Sequence, residues 1–331
     1  SKNGAGIINY TGTGTTINAG MGTIEMIGVG NTTDNITFGV MTGLHPNDYA
    51  GVLALISENV SDDYAISIQG SSVDADAGIL IENKTRLLST ASSNGGGISI
   101  IGANTFDPSG SALSVGIGSN AGTLEALSAS GAIDINVGTD PLVIASAGVF
   151  RLGSIDGDGS VSASTADVTI ISDDVAWTGN VPVRTSGTLT VKPTSGNSFA
   201  STFNTSSLNY SGITGLTIGH ADNTSGVTIG SLTTISGPID LYGGAVAIDA
   251  PLTATGETIT VTASTSLSDG ASGYLTANAL ALNGAGSVTL DNNINDVNTL
   301  AGGAGDAPLG SLSYVDSDSL VIGAVNPTGV V

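Results

Sequence analysis

The chain has no cysteine, which excludes a disulfide framework and any thiolate-based metal site and leaves the redox compartment open. Cations are almost as scarce: six Lys and Arg stand against 28 Asp and Glu, a formal net charge of −22. That balance repels phosphate backbones and anionic lipid surfaces, so neither nucleic acid nor an acidic membrane is expected as a partner. The six, Lys2, Lys84, Arg86, Arg151, Arg184 and Lys192, are scattered along the sequence with only Lys84 and Arg86 close together, so no basic cluster is expected. Aromatic residues make up 4% of the chain, with a single tryptophan, Trp177. No apolar run approaches the roughly 18 residues that span a bilayer, and the first residues lack a charged-then-apolar leader pattern. Direct membrane insertion is therefore not expected, and if the protein is secreted the sequence is a mature or excised part.

What the chain does hold is 49 glycines and 40% hydrophobic residues, enough apolar surface to fold around a thin core of small and β-branched side chains. Short segments of alternating polar and aliphatic residues recur throughout. Ile7–Tyr10, Thr23–Ile27, Ile36–Met41, Val52–Ile56, Ala65–Ile68, Ile79–Ile81 and Ile98–Ile100 read as strands in the first half, and Leu189–Val191 through Leu320–Ile322 continue the pattern in the second. Gly, Ser, Asn and Asp fill the intervals, as turn residues do. Helix is nearly absent, with Leu124–Ser130 its nearest candidate, and Gly43–Tyr49 reads as a loop excursion.

Comparable strands return about every twenty residues, most clearly at Leu216–Ile218, Ile239–Leu241, Ile259–Val261 and Leu280–Leu282. Stacked at about 4.8 Å per coil, the chain predicts roughly 15 coils and a rod on the order of 70 Å. The expected fold is an all-β parallel β-helix, one continuous solenoid over residues 1–331. Tandem β-sandwich domains are the alternative, since they too show many short strands. Sandwiches need more large core residues than this composition supplies.

The phrases GTLTVKPTSG (Gly187–Gly196), ITGLTIGHADNTSGVTIG (Ile213–Gly230), GPIDLYGGAVAIDAPLTATGETITVTA (Gly237–Ala263), GSVTLDNNINDVNTLAGGAG (Gly286–Gly305) and LSYVDSDSLVIGAVNPTG (Leu312–Gly329) resemble the central repeats of filamentous-haemagglutinin-type adhesins exported by two-partner secretion. Residues 1–186 match less closely and read as more irregular coils; the family's secretion domain is not visible. The resemblance implies a right-handed parallel β-helix from the shaft of a much larger surface protein, with a role in adhesion, biofilm matrix or filament building. It brings no catalytic residues with it.

Several groupings invite a chemical reading. Asp156-Gly157-Asp158-Gly159 comes closest to a metal loop, because alternating carboxylates can wrap a hard cation, but the remaining oxygen ligands and a terminal Glu are missing. A tight acidic turn is the preferred reading, with calcium binding at most distributed. Asp74/Asp76 and Asp316/Asp318 read as solvated same-face carboxylates, and Gly302–Asp306 starts a calcium nonapeptide that does not continue. His45 and His220 lack companions at metal-ligand spacing and default to surface or turn roles. Thr258-Ile259-Thr260-Val261-Thr262 sets three hydroxyls on one face, as in an ice-binding row, yet Ile239–Leu241 and Leu280–Leu282 carry no matching rows. Arg151 and Arg184 facing Asp156 or Asp173 would be the start of a polysaccharide lyase or hydrolase site, but a pair holding coils in register is simpler. Asn-x-Ser/Thr triplets at Asn9, Asn31, Asn35, Asn59, Asn83, Asn204, Asn209 and Asn223 are as frequent as the Ser and Thr content makes them by chance.

The sequence therefore predicts a non-enzymatic structural or adhesive module of an extracellular filament or large cell-surface adhesin, with no cofactor. Its expected partners are further coils or copies of itself at the open solenoid ends, and a surface receptor or polysaccharide. The alternatives are a carbohydrate-active β-helix enzyme and an ice- or calcium-dependent binding module.

Overall fold

In a computed structural model of the chain, residues 7–9, 14–30, 38–42, 52–72, 77–91, 95–104, 110–116, 121–154, 163–284, 286–303 and 309–324 are described. The fold is all-β. Among these residues there is no α-helix, only one 3-10 turn at Thr205–Ser207, and the segment nearest to a helical pattern is the strand Thr123–Ser128. The strand segments expected from alternation overlap observed strands wherever they are described, with Thr23, Phe38, Gly39, Val52 and Leu320 just outside them. Gly43–Tyr49, the expected loop excursion, lies outside the described residues.

The registered strand pairs are parallel, and they join each segment to one a full turn of chain away. Parallel neighbours need a long connection between them, which a chain wound in stacked coils supplies. Sandwiches are antiparallel, so this pairing runs against the tandem-sandwich alternative and is compatible with a parallel β-helix. The chain falls into two compact units, Ser1–Gly187 with Ser207–Gly212, and Thr188–Ser206 with Ile213–Val331.

In the second unit the spacing read from sequence reappears as register. Leu216 pairs with Ile239, Ile239 with Ile259, Ile259 with Leu280 and Leu280 with Leu300, steps of 23, 20, 21 and 20 residues. All five side chains are buried, so each coil lays an aliphatic residue on the one before. The first unit winds more slowly: Ile24 pairs with Ile66, Leu53 with Thr85, Thr85 with Leu124 and Leu124 with Phe150, steps of 42, 32, 39 and 26. The twenty-residue spacing that gave the expected coil number does not extend there.

The core of the first unit is made of rows such as Ile66, Ile98, Ile133 and Val168, and Ile68, Ile100, Ile135 and Ile170, all at or below 2% exposure. Phe150 is the one aromatic among its largest fully buried side chains. Where the chain turns out of one sheet, Ser57, Ser89 and Ser128 stack in register with no exposure. Their hydroxyls donate to the carbonyls of Gly22 at 2.7 Å, of Gly96, and of Gly131 at 2.6 Å. A buried hydroxyl is tolerated only with such a partner, and each partner here is a turn carbonyl that the ladder leaves open.

A second column narrows the coil. Gly28, Gly70 and Gly102 pair in register and face Gly39, Gly78 and Ala112. A Cβ on Gly78 would lie 2.5 Å from the Ala103 carbonyl oxygen, 2.7 Å from that of Gly70 and 2.8 Å from that of Ala112, so two backbones meet there with no room for a side chain. In the following coil the strand Ile133–Ile144 runs on through Gly138, where φ is 64°, and buries Val137.

Outside the core, Tyr64 sits opposite Gly97 and its hydroxyl donates to Asp134 Oδ2 at 2.7 Å, tying coils that are not adjacent. Burial, then the hydrogen bond to Asp134, pushes its phenol up to about 12 from 10.0. The folded chain thus holds the neutral phenol while the unfolded chain ionises first, so this stabilisation is complete below pH 10 and is lost between about 10 and about 12. Tyr64→Phe is expected to flatten that alkaline loss. Urea midpoints followed from about pH 9 to about pH 11 will measure it, and an unchanged slope would remove the assignment.

Candidate functional site

The basic residues are dispersed in sequence and gathered in space. Strands Lys84–Ser89, Thr123–Ser128 and Val149–Gly153 are neighbours in one parallel sheet, with Glu125 directly opposite Arg86 on one side and Arg151 on the other. Lys84 Nζ lies 3.0 Å from Glu125 Oε1, Arg151 Nη1 donates to the same oxygen at 3.2 Å, and Arg86 Nε donates to Oε2 at 2.7 Å. Glu125 is 1% exposed, against 40% for Lys84, 36% for Arg151 and 19% for Arg86. The cations cover the carboxylate with their stems and keep their heads near water. Arg184, opposite Gly153, stands on the next strand of the same sheet.

This arrangement corrects the expectation that no basic cluster exists. The observed partner of Arg151 is Glu125; Asp156, one of the carboxylates expected to face Arg151 or Arg184, lies outside the described residues, as does Asp158. Two like charges in register across one strand repel, and a carboxylate between them removes the repulsion. A register error by one residue would leave all four groups unmatched, so the cluster fixes the alignment of three coils.

The second unit gathers carboxylates at one corner. Asp269, Asp291 and Asp316 lie on successive coils, since Ser268 pairs with Thr289 and Thr289 with Ser313. Asp269, Asp291 and the turn Gly270–Ala271 line an open groove with Asn292 and Asn293. Asp269 Oδ1 accepts the Asp291 N–H at 3.0 Å; its Oδ2 accepts the Asn292 N–H at 3.0 Å and Asn295 Nδ2 at 2.8 Å. Asn295 is fully buried, and its Oδ1 accepts the Leu275 N–H at 2.9 Å.

Asp318 is exposed as expected, but Asp316 is not simply solvated. Asp316 Oδ2 accepts the Tyr314 hydroxyl at 2.7 Å and the Val297 N–H at 3.2 Å, and Oδ1 accepts the Asp318 N–H at 3.2 Å. Burial raises the Asp316 carboxyl, but these donors outweigh it and hold it below its ordinary value. Burial and the Asp316 hydrogen bond both push the Tyr314 phenol up. Asp296 brings a third carboxylate within 4.8 Å of these two. Asp316 is thus a turn cap, its oxygens filled by the chain itself.

The remaining predicted groups fall out as follows. Asp74, Asp76 and His45 lie outside the described residues, as does most of Gly302–Asp306. His220 is a turn residue: the Asp222 N–H points at Nδ1 (3.1 Å), which leaves Nε2 to donate to the Thr194 carbonyl at 3.0 Å. The threonine row stops at its own strand, because Thr258, Thr260 and Thr262 face Ala279, Ala281 and Asn283 on one side, and Thr260 and Thr262 face Asp240 and Tyr242 on the other. Thr260 is buried, not displayed. Of the Asn-x-Ser/Thr sites, Asn59 and Asn223 are 3% exposed, with their amide nitrogens donating to Asp62 and to the Tyr242 carbonyl.

The outermost described coils show apolar side chains. Ile17 and Met21 are exposed on the first, and Leu312, Val321 and Ile322 on the last, with Ile322 73% exposed. Within the described residues, strand Val321–Ile322 pairs only with Asp296–Gly302, and Thr15–Asn18 only with Leu53–Ser57. No family model, no curated protein and no solved structure matches this chain.

Proposed function

We propose that this chain is a structural and adhesive module of an extracellular filament or large surface adhesin, built as a right-handed parallel β-helix of the filamentous-haemagglutinin type. The observation that carries the reading is the outermost described strands, each paired on one side and flanked by exposed apolar residues. An outer parallel strand is a template for another strand of the same kind, supplied either by more of the same chain or by a second copy. Stiffness and resistance to proteolysis follow from a ladder in which every coil is held by its neighbours.

The module acts without catalysis in this reading. Among the described residues, the grouping of Lys84, Arg86 and Arg151 has its carboxylate, Glu125, beneath three cations and 1% exposed, where it meets no substrate proton.

Negative-stain electron microscopy of the purified protein over a dilution series, with and without a calcium chelator, tests the proposal. Long uniform fibres are the expected result for an end-stacking subunit, and short single rods for a stalk segment. Compact globules would overturn the solenoid reading.

A further inference from the structure

An adhesive module, the reading on which this inference rests, needs a surface that holds its partner. In the second unit the strand segments 233–235, 252–254, 275–277 and 296–297 pair in register and bury Ile235, Ala254, Ala277 and Val297. Strand alternation turns the residue before each of these outward: Thr234, Thr253, Thr276 and Asp296, one per coil. Two places earlier in each coil stand Leu232, Pro251, Tyr274 and Ile294. Leu232 is 69% and Ile294 54% exposed, with Pro251 and Tyr274 half-buried. A single exposed apolar side chain is ordinary, whereas one on each of four successive coils makes a patch. On the other side of the threonines Asn278 and Asn298 are exposed, and Asn298 Nδ2 donates to Asn278 Oδ1 at 3.3 Å.

Charge narrows the choice of partner. Of these ten outward residues Asp296 alone is charged. Asp249 and Asp291 are exposed in the turns leading into the face, and Glu257 in the bulge that follows 252–254. That border repels an anionic polymer, and it repels a second copy, whose net charge is also −22. A cationic partner finds only one carboxylate on the face itself. The distribution fits a neutral partner. Threonine hydroxyls and asparagine amides both donate and accept hydrogen bonds, and the apolar column covers C–H surface. Uncharged sugars present that combination, C–H faces edged by hydroxyls. The columns repeat at about 4.8 Å, so a polymer laid along the coil axis meets the same contacts again on each coil and sums them.

We propose that this face binds a neutral polysaccharide, with the sugar rings against Leu232, Pro251, Tyr274 and Ile294 and their hydroxyls on Thr234, Thr253 and Thr276. No ion pair takes part, so the binding is insensitive to salt, unlike any contact made through the acidic border.

Co-sedimentation of the full chain with cellulose and with chitin, both uncharged, at about 20 mM and about 500 mM NaCl tests this, with alginate and heparin beads for comparison. The expected result is retention on a neutral polymer that salt leaves unchanged. A double variant, Leu232→Ser with Ile294→Ser, is expected to weaken it about tenfold, and Thr253→Val, which keeps the shape and removes one hydroxyl, roughly threefold. Val321→Ser with Ile322→Ser, on the outermost described strand, should leave it untouched; circular dichroism checks all three folds. Retention on neither neutral polymer, or retention that the double variant keeps, would overturn the proposal, and rods or fibres in the electron microscope would then still uphold the filament reading. Retention on the anionic beads alone, abolished by salt, would overturn it too. So would self-association that the double variant removes, which gives the face to a second copy, or a halt of ice growth that Thr253→Val removes, which gives it to ice.

Discussion

Replacing Gly78 by alanine is expected to lower the stability of the first unit by about 3 kcal/mol or more, the upper range for forcing an extra methyl into close-packed surroundings. The added carbon would lie 2.5–2.8 Å from three backbone carbonyl oxygens, and backbone, unlike the end of a flexible side chain, cannot step aside without opening the ladder. The matched control is Gly138→Ala. Gly138 has a φ of 64° but nothing within 4 Å of a Cβ, so alanine there meets only the left-handed backbone penalty of roughly 1–2 kcal/mol. Urea unfolding of the two variants separates space from backbone conformation. Equal losses would show that the glycine neck is not close-packed.

The second large effect is expected at Glu125. Glu125→Gln keeps the volume and removes the charge, leaving Lys84, Arg86 and Arg151 crowded without the carboxylate they share. Removing one partner of a buried ion pair costs about 3–5 kcal/mol. Because the Lys84 and Arg151 heads reach water, the lower end of that range is expected here. Adding Arg151→Met to Glu125→Gln should recover part of the loss by relieving repulsion across the strand. A double variant no more stable than the single one would mean that the carboxylate acts through hydrogen bonding alone.

The two units differed in how far the sequence disclosed them. The second announces its winding, because Leu216, Ile239, Ile259 and Leu280 recur at nearly constant distance and pair in that order. The first hides it. Its coils differ in length by up to sixteen residues between Ile24–Ile66 and Leu124–Phe150, and a period that varies leaves no autocorrelation even when every strand alternates properly.

The charged cluster was illegible for the same reason. Arg86 and Arg151 stand 39 and 26 residues from Glu125, and only knowledge of both coil lengths places them opposite it. The glycine neck, by contrast, did leave a mark. Gly28, Gly70 and Gly102 each follow an aliphatic residue, Met26, Ile68 or Ile100, by two positions, where strand alternation calls for another inward side chain. Glycine at an inward position signals close backbone approach, whereas a count of glycines as turn formers overlooks it.

The near-constant step of the second unit governs how such a chain can change length. Losing one residue inside Ile239–Leu241 turns its inward side chains to the outside. Losing the whole coil that holds Ile259 and Val261 hands Ile239 to Leu280 and Leu241 to Leu282, aliphatic for aliphatic, with the alternation unbroken. Whole turns are interchangeable parts and single residues are not, so lineages of this unit can grow and shrink by about one coil at a time while the seam between coils stays closed.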